Sequence, residues 1–200
     1  MWRLKSLQEF LESKRNWIYT KLAANEELHR RPVEKELVDG ESFVYLGRNY
    51  RLQIVDESSN SVRLVGGRLR LPAQLADIGR TPLTDWYRVS GRAWVAPKAR
   101  DWSERLRVHP GTIEVTDLGR KWGSATPGGN VRLHWAAFQL SPVLIDYVVA
   151  HELAHLREPH HGPAFWQVLG RALPDFAERK NLLARVGANL WFGEIAVNHK

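Results

Sequence analysis

The sequence predicts an α+β fold, and three observations carry that expectation. Residues 43–71 alternate apolar and polar with period two, as short strands do. Two further strand-like segments, TIEVTD and KWGSATPGGNVRLHW, follow between residues 112 and 135. The remaining chain after Ser141 reads as helix, in stretches opened by Pro142, Pro163 and Pro174. At 200 residues the chain is long enough to bury a sizeable core.

Each element has its own signal. Leu4, Leu7, Leu11, Ile18 and Leu22 lie loosely at helical spacing with Trp17 beside them, and predict a helix in the first 28 residues. The runs FVYLGRNYRLQIV and SVRLVGGRLRLP, separated by the polar DESSNS, predict short antiparallel strands with a Gly-Gly turn. Alternation would set Arg68 and Arg70 on one face and Leu69 and Leu71 on the other. Residues 82–106 read as helical from about Thr84, with Pro97 ending or kinking the helix. Trp86, Trp94 and Trp102 recur every eight residues, an apolar stripe suited to core packing. The Pro-Gly-Gly-Asn at 127–130 is a turn inside the second strand segment. Gly123, in mid-strand, predicts either close approach by a neighbouring group or a bulge. Ser141-Pro142 opens the run VLIDYVVAHELAHL, apolar nearly all round and so expected to be buried. Gly187 reads as the stop of the last helix.

Composition narrows the class. An apolar share of 44% and a charged share of 26% suit a globular protein. No apolar run approaches the roughly 20 residues that span a bilayer, and MWRLKSLQEF lacks the apolar stretch of a secretory signal. The expectation is a cytoplasmic protein with no membrane partner. Without cysteine, disulfides and thiolate ligands are excluded, and a metal would need His, Asp or Glu. The net charge of +7 falls mostly in the first hundred residues, where a basic surface can attract nucleic acid.

The densest chemistry lies in HELAHLREPHHGPAFW, residues 151–166. On a helix His151 and His155 face the same way, and two imidazoles at that spacing suit tetrahedral zinc. Glu152 stands about 100° round the helix, beside the metal, where it can accept a proton from a metal-bound water. In an otherwise apolar helix, two histidines and a glutamate would be costly without such a partner. A catalytic zinc commonly keeps three protein ligands, so a third is needed. Pro159 turns the chain after about Arg157, and Gly162 precedes the helix that Pro163 opens. His160 and His161 both lie in that turn; one should reach the metal while the other faces outward.

These residues resemble the YgjP-like metallopeptidase family, neighbours of the SprT and WLM zinc peptidases. The shared pattern is Trp122-Gly123-Ser124, then Ile145-Asp146-Tyr147-Val148-Val149, then His151 to Leu156, His161 and Phe165-Trp166. It continues to Pro174-Asp175 and reaches back through YLGRNYRLQI. The resemblance implies that one zinc ion per chain is bound by His151, His155 and His161, with His160 on the rim. It implies a zincin-like metallopeptidase domain over residues 73–200, with a short sheet packed on the HExxH helix. Before it stands an amino-terminal helix and β-rich extension over residues 1–72. Departures are Ala125 where relatives carry Cys, Lys121 where they carry Arg, and His134 where they often carry Asn.

The implied reaction is peptide-bond hydrolysis by a zinc-bound water that Glu152 activates. Tyr147, His160 and Lys121 are candidates for oxyanion stabilisation, and the Trp122-Gly123-Ser124 strand could receive an extended peptide by strand addition. Neighbouring families act on DNA-attached proteins, which suits the basic first half. An alternative is a zinc hydrolase of a small phosphorylated substrate such as a nucleotide. A binding module with structural zinc ranks last, because such a site is closed by four protein ligands.

Overall fold

The computed structural model describes residues 33–119 and 121–196. The helix expected in the first 28 residues lies outside the described residues. All the elements that follow belong to the unit that begins at Val33.

Four strands form the first sheet: β1 (Ser42–Tyr45), β2 (Arg48–Val55), β3 (Arg63–Val65) and β4 (Arg68–Pro72), in the order β1-β2-β4-β3. The hairpins β1–β2 and β3–β4 are antiparallel as the alternation predicts. The Gly66-Gly67 turn has φ of 56° and 75°, the left-handed region that a tight two-residue hairpin demands. Between the hairpins the expectation fails, for β2 and β4 run parallel, with Leu52 beside Leu69 and Ile54 beside Leu71. The second hairpin enters through its own far strand and returns alongside β2, a pairing that no local pattern specifies. Leu52, Leu69 and Leu71 are buried, and each contributes roughly 1.5–3 kcal/mol. The opposite face carries Arg51, Arg63, Arg68 and Arg70, with Glu57 engaging Arg63 and Arg70.

A one-turn helix, α1 (Ala73–Ala76), leads into α2 (Thr81–Leu106). The long helix begins three residues earlier than expected and passes through Pro97, which sits on its exposed side. Its buried face runs Tyr87, Gly91, Val95, Ala99, Trp102 and Leu106, spaced by three and four. Of the tryptophan stripe, Trp102 is buried while Trp86 and Trp94 are half-buried.

The second sheet has the order β5-β7-β6, from β5 (Thr112–Thr116), β6 (Gly123–Ala125) and β7 (Asn130–His134). Central β7 is parallel to β5 and antiparallel to β6, so β6 is an edge strand. A buried 3-10 turn, Trp135–Gln139, then delivers the chain to α3 (Pro142–Ala154), α4 (Pro163–Ala172) and α5 (Phe176–Gly187). Helix α3 buries nine of its 13 residues, as its all-round apolar run requires. One apolar core joins Phe43, Leu52 and Leu69 of the first sheet to Val131 and Leu133 of the second and to α3. Gly187 does not stop α5 by a left-handed turn. It is the last helical residue and is pressed by Trp122, whose Cζ2 would lie 2.6 Å from an added Cβ.

Candidate metal centre

The centre is built on the last turns of α3. Tyr147, His151 and His155 stand four residues apart and so share a side of the helix. The helix proper ends at Ala154, and His155 caps it. There the Nδ1 of His155 lies 3.2 Å from the carbonyl oxygen of Glu158, so an N–H at Nδ1 donates to it. That leaves the Nε2 lone pair free to point away. The chain then crosses an irregular turn through Pro159, His160 and His161 before Gly162 caps α4.

This turn returns His161 to the helix. Its Nε2 is 2.8 Å from Nε2 of His151 and 3.1 Å from Nε2 of His155. One ring nitrogen from each of the three lies within 4.8 Å of the others. His160 is exposed and stays outside the cavity. The path of the turn thus brings His161, and not His160, up to the two helix histidines.

The donor set fits a tetrahedral cation. Nitrogens bound to zinc at 2.0–2.1 Å would stand roughly 3.3–3.4 Å apart, close to the spacing found. Three imidazoles without thiolate suit zinc among the common divalent ions. Three ring nitrogens converging this closely form a donor set that one shared cation would satisfy. Burial pushes His151 down to about 3, helped by the neighbouring His155 and His161 and by the Lys180 charge. Burial also lowers His155 and His161. All three are thus held neutral, the form that ligates a metal.

An aromatic floor supports the imidazoles. The buried Phe165 ring lies 4.9 Å from His151, 4.5 Å from His155 and 4.8 Å from His161, centre to centre. Sequence reasoning recorded Phe165-Trp166 only as the end of a motif. The helical spacing of Phe165 and Leu169 on the apolar side of α4 marks Phe165 as inward-facing, but not what it meets.

Glu152 points elsewhere, toward the edge strand. It is 8% exposed, and burial raises its carboxyl to about 7 against the opposing pull of Lys121. Gly123 of β6 explains how it fits. A Cβ at Gly123 would lie 2.5 Å from Cγ of Glu152 and 2.7 Å from its Cδ and Oε1. Gly123 opens β6 rather than standing in mid-strand, and it is a point of close approach, the approaching group being the side chain of Glu152.

Around this meeting point is an open cavity of about 700 Å³. Lys121, Trp122, Gly123, Ser124 and Tyr147 all line it, together with the three converging histidines and Glu152. Trp122 also packs on Phe192, at 5.7 Å between rings. Tyr147 is buried, and burial together with the Glu152 charge pushes its hydroxyl up to about 12. It is a proton-bearing donor at neutral pH. At the end of β7, buried His134 accepts the Ala136 N–H at Nδ1, 2.9 Å away, and presents Nε2 to Asp117 of the β5–β6 connection at 3.4 Å.

No curated protein matches the chain. Among solved structures, the metallopeptidase zymogen abylysin of Pyrococcus abyssi aligns over 51% of this chain and 99% of its own, at 17% identity and a TM-score of 0.43. A family model described as "YgjP-like, metallopeptidase domain" matches residues 2–186. That span takes in both sheets, the histidine helix and the turn that follows it, and the chain belongs to the YgjP-like metallopeptidase family.

Proposed function

We propose that the protein is a zinc-dependent peptidase, with one zinc per chain held by His151, His155 and His161 and with Glu152 as general base. The observation that carries this reading is the meeting of three neutral imidazoles with a buried carboxylate at the wall of one open cavity. A zinc ion bound there would supply a Lewis acid that polarises a carbonyl and brings the pKa of water toward neutrality. Glu152 takes a proton at its carboxylate during attack and returns it to the leaving amine. Its raised pKa favours holding that proton between the two steps. Tyr147 and Lys121 line the same cavity and supply an O–H and a positive charge to a developing oxyanion. Edge strand β6 offers its free side to an extended peptide. His160 is not assigned a role, because it lies outside the cavity.

The natural substrates in this reading are DNA-associated proteins, supported by the arginine-bearing face of the first sheet and the basic first half of the chain. The site of action is the cytoplasm. No helix among the described residues is long and apolar enough to cross a membrane.

The test is cleavage of a basic DNA-binding protein with and without DNA, for wild type and Glu152→Gln, with zinc content confirmed equal. Cleavage by wild type alone is expected, with stimulation by DNA. If neither protein cleaves while both hold one zinc, peptidase activity on such substrates is refuted and nucleotides become the next substrates to assay.

A further inference from the structure

His151 and His155 leave a regular helix and its end, where backbone hydrogen bonds fix their positions. His161 has no such support. It sits in the irregular turn before α4, where the Gly162 N–H bonds only to the carbonyl of His160, 2.7 Å away. No hydrogen bond reaches Nδ1 of His161 or of His151 among the described residues, whereas Nδ1 of His155 has the Glu158 carbonyl; His151 is held by the helix it stands on, and His161 is not. Metal-binding imidazoles are ordinarily oriented by a hydrogen bond at their second nitrogen. Something else must hold the third one.

We propose that Trp166 is the positioning residue of His161, fixing both its backbone and its ring in the three-histidine set. Trp166 lies in the first turn of α4 and reaches back over the preceding turn. Its indole Nε1–H donates to the carbonyl oxygen of His161 at 3.1 Å, which pins the backbone. Its ring stacks on the imidazole, with centres 5.6 Å apart and planes 28° from parallel, which restricts rotation about the side chain. These two contacts constrain different torsions of the same residue.

The indole is itself clamped by α5. Phe176 stacks on it at 5.4 Å and 17°, and the ammonium of Lys180 sits 4.6 Å from the ring centre. Both contacts anchor the tryptophan from a separate helix, so its orientation does not depend on the turn that it holds. A role in core packing alone would not need the N–H to face His161. Phenylalanine would keep an aromatic ring for the stack without the donor.

This inference rests on the reading of the three histidines as a zinc set, and the experiment separates the two. Zinc affinity of the full chain is measured by competition with a chromophoric chelator, alongside thermal midpoints of the metal-free proteins. Trp166→Ala is expected to weaken zinc binding by about 10–100-fold, the usual loss when an orienting partner of a ligand is removed. Trp166→Phe keeps the stack and removes the donor, and is expected to weaken binding by about 3–10-fold with the metal-free midpoint nearly unchanged. Should the alanine variant fail to fold, the phenylalanine variant decides. Wild-type zinc affinity in the variants that fold overturns the positioning role and leaves the zinc reading intact. A wild-type chain that binds no zinc overturns both, and shows this before any variant is made.

Discussion

Substituting Gly123 by alanine tests the link between the edge strand and the catalytic helix. The added methyl would stand 2.5 Å from Cγ of Glu152, where carbon atoms normally stand 3.5–4.0 Å apart. About 1 Å of movement is therefore required. Gly123 is fixed by its pairing with Leu133, and Glu152 by the interior of α3, so the side chain of Glu152 is the part that yields. A displacement of about 1 Å at a reacting group can cost on the order of 100-fold in rate. Overpacking of this kind also costs about 1–3 kcal/mol, or roughly 2–12 °C in melting temperature for a chain of this size. The three atoms nearest the added methyl all belong to Glu152 and none to the three histidines, so zinc content should stay at the wild-type level. The assay is kcat/KM on whichever protein wild type cleaves, with zinc content and melting temperature measured on the same samples. Gly123→Ala at wild-type rate, with one zinc and an unchanged melting temperature, would refute the claim that this glycine makes room for the carboxylate.

The histidine set and its surroundings yield two more expectations. His161→Ala should lose stoichiometric zinc in metal analysis after gel filtration, while His160→Ala should retain it; equal zinc in both would mean that the turn was misassigned. Burial, opposed by Asp117, holds His134 below its ordinary pKa of 6.5, so an unfolded chain takes up that proton more readily than the folded one. The stability this gives is complete above about pH 6.5 and is lost as pH falls through the lower folded value. His134→Asn keeps an acceptor for the Ala136 N–H without titrating, and should lose less urea stability than wild type between pH 7.5 and 5. Parallel losses in the two proteins would argue against this account of His134.

Much of the fold could be read from local pattern. Leu69 and Leu71 against Arg68 and Arg70, the Gly66-Gly67 turn, and the helix opened by Ser141-Pro142 all appear where alternation and punctuation put them. The parallel pairing of β2 with β4 did not, because alternation specifies which face a residue takes and leaves open which strand lies beside it. Gly187 ends its helix as expected, but what presses on it is the indole of Trp122, 65 residues earlier in the chain.

At the site the division is equally physical. The sequence by itself determined that His151 and His155 share a helix face and that Glu152 stands off it, because 3.6 residues per turn is a property of the backbone. It placed His160 and His161 in a turn after that helix, because Pro159 disfavours helix at the residue before it and Gly162 precedes the next one. Only the tertiary structure decided that His161 closes the set, that Phe165 floors all three rings, and that Trp166 spans from α5 to the His161 carbonyl. Only it showed that Gly123 is small because Glu152 comes against it. Those are contacts between segments whose separation in space is set by the packing of the whole core, and no local window of residues contains that distance.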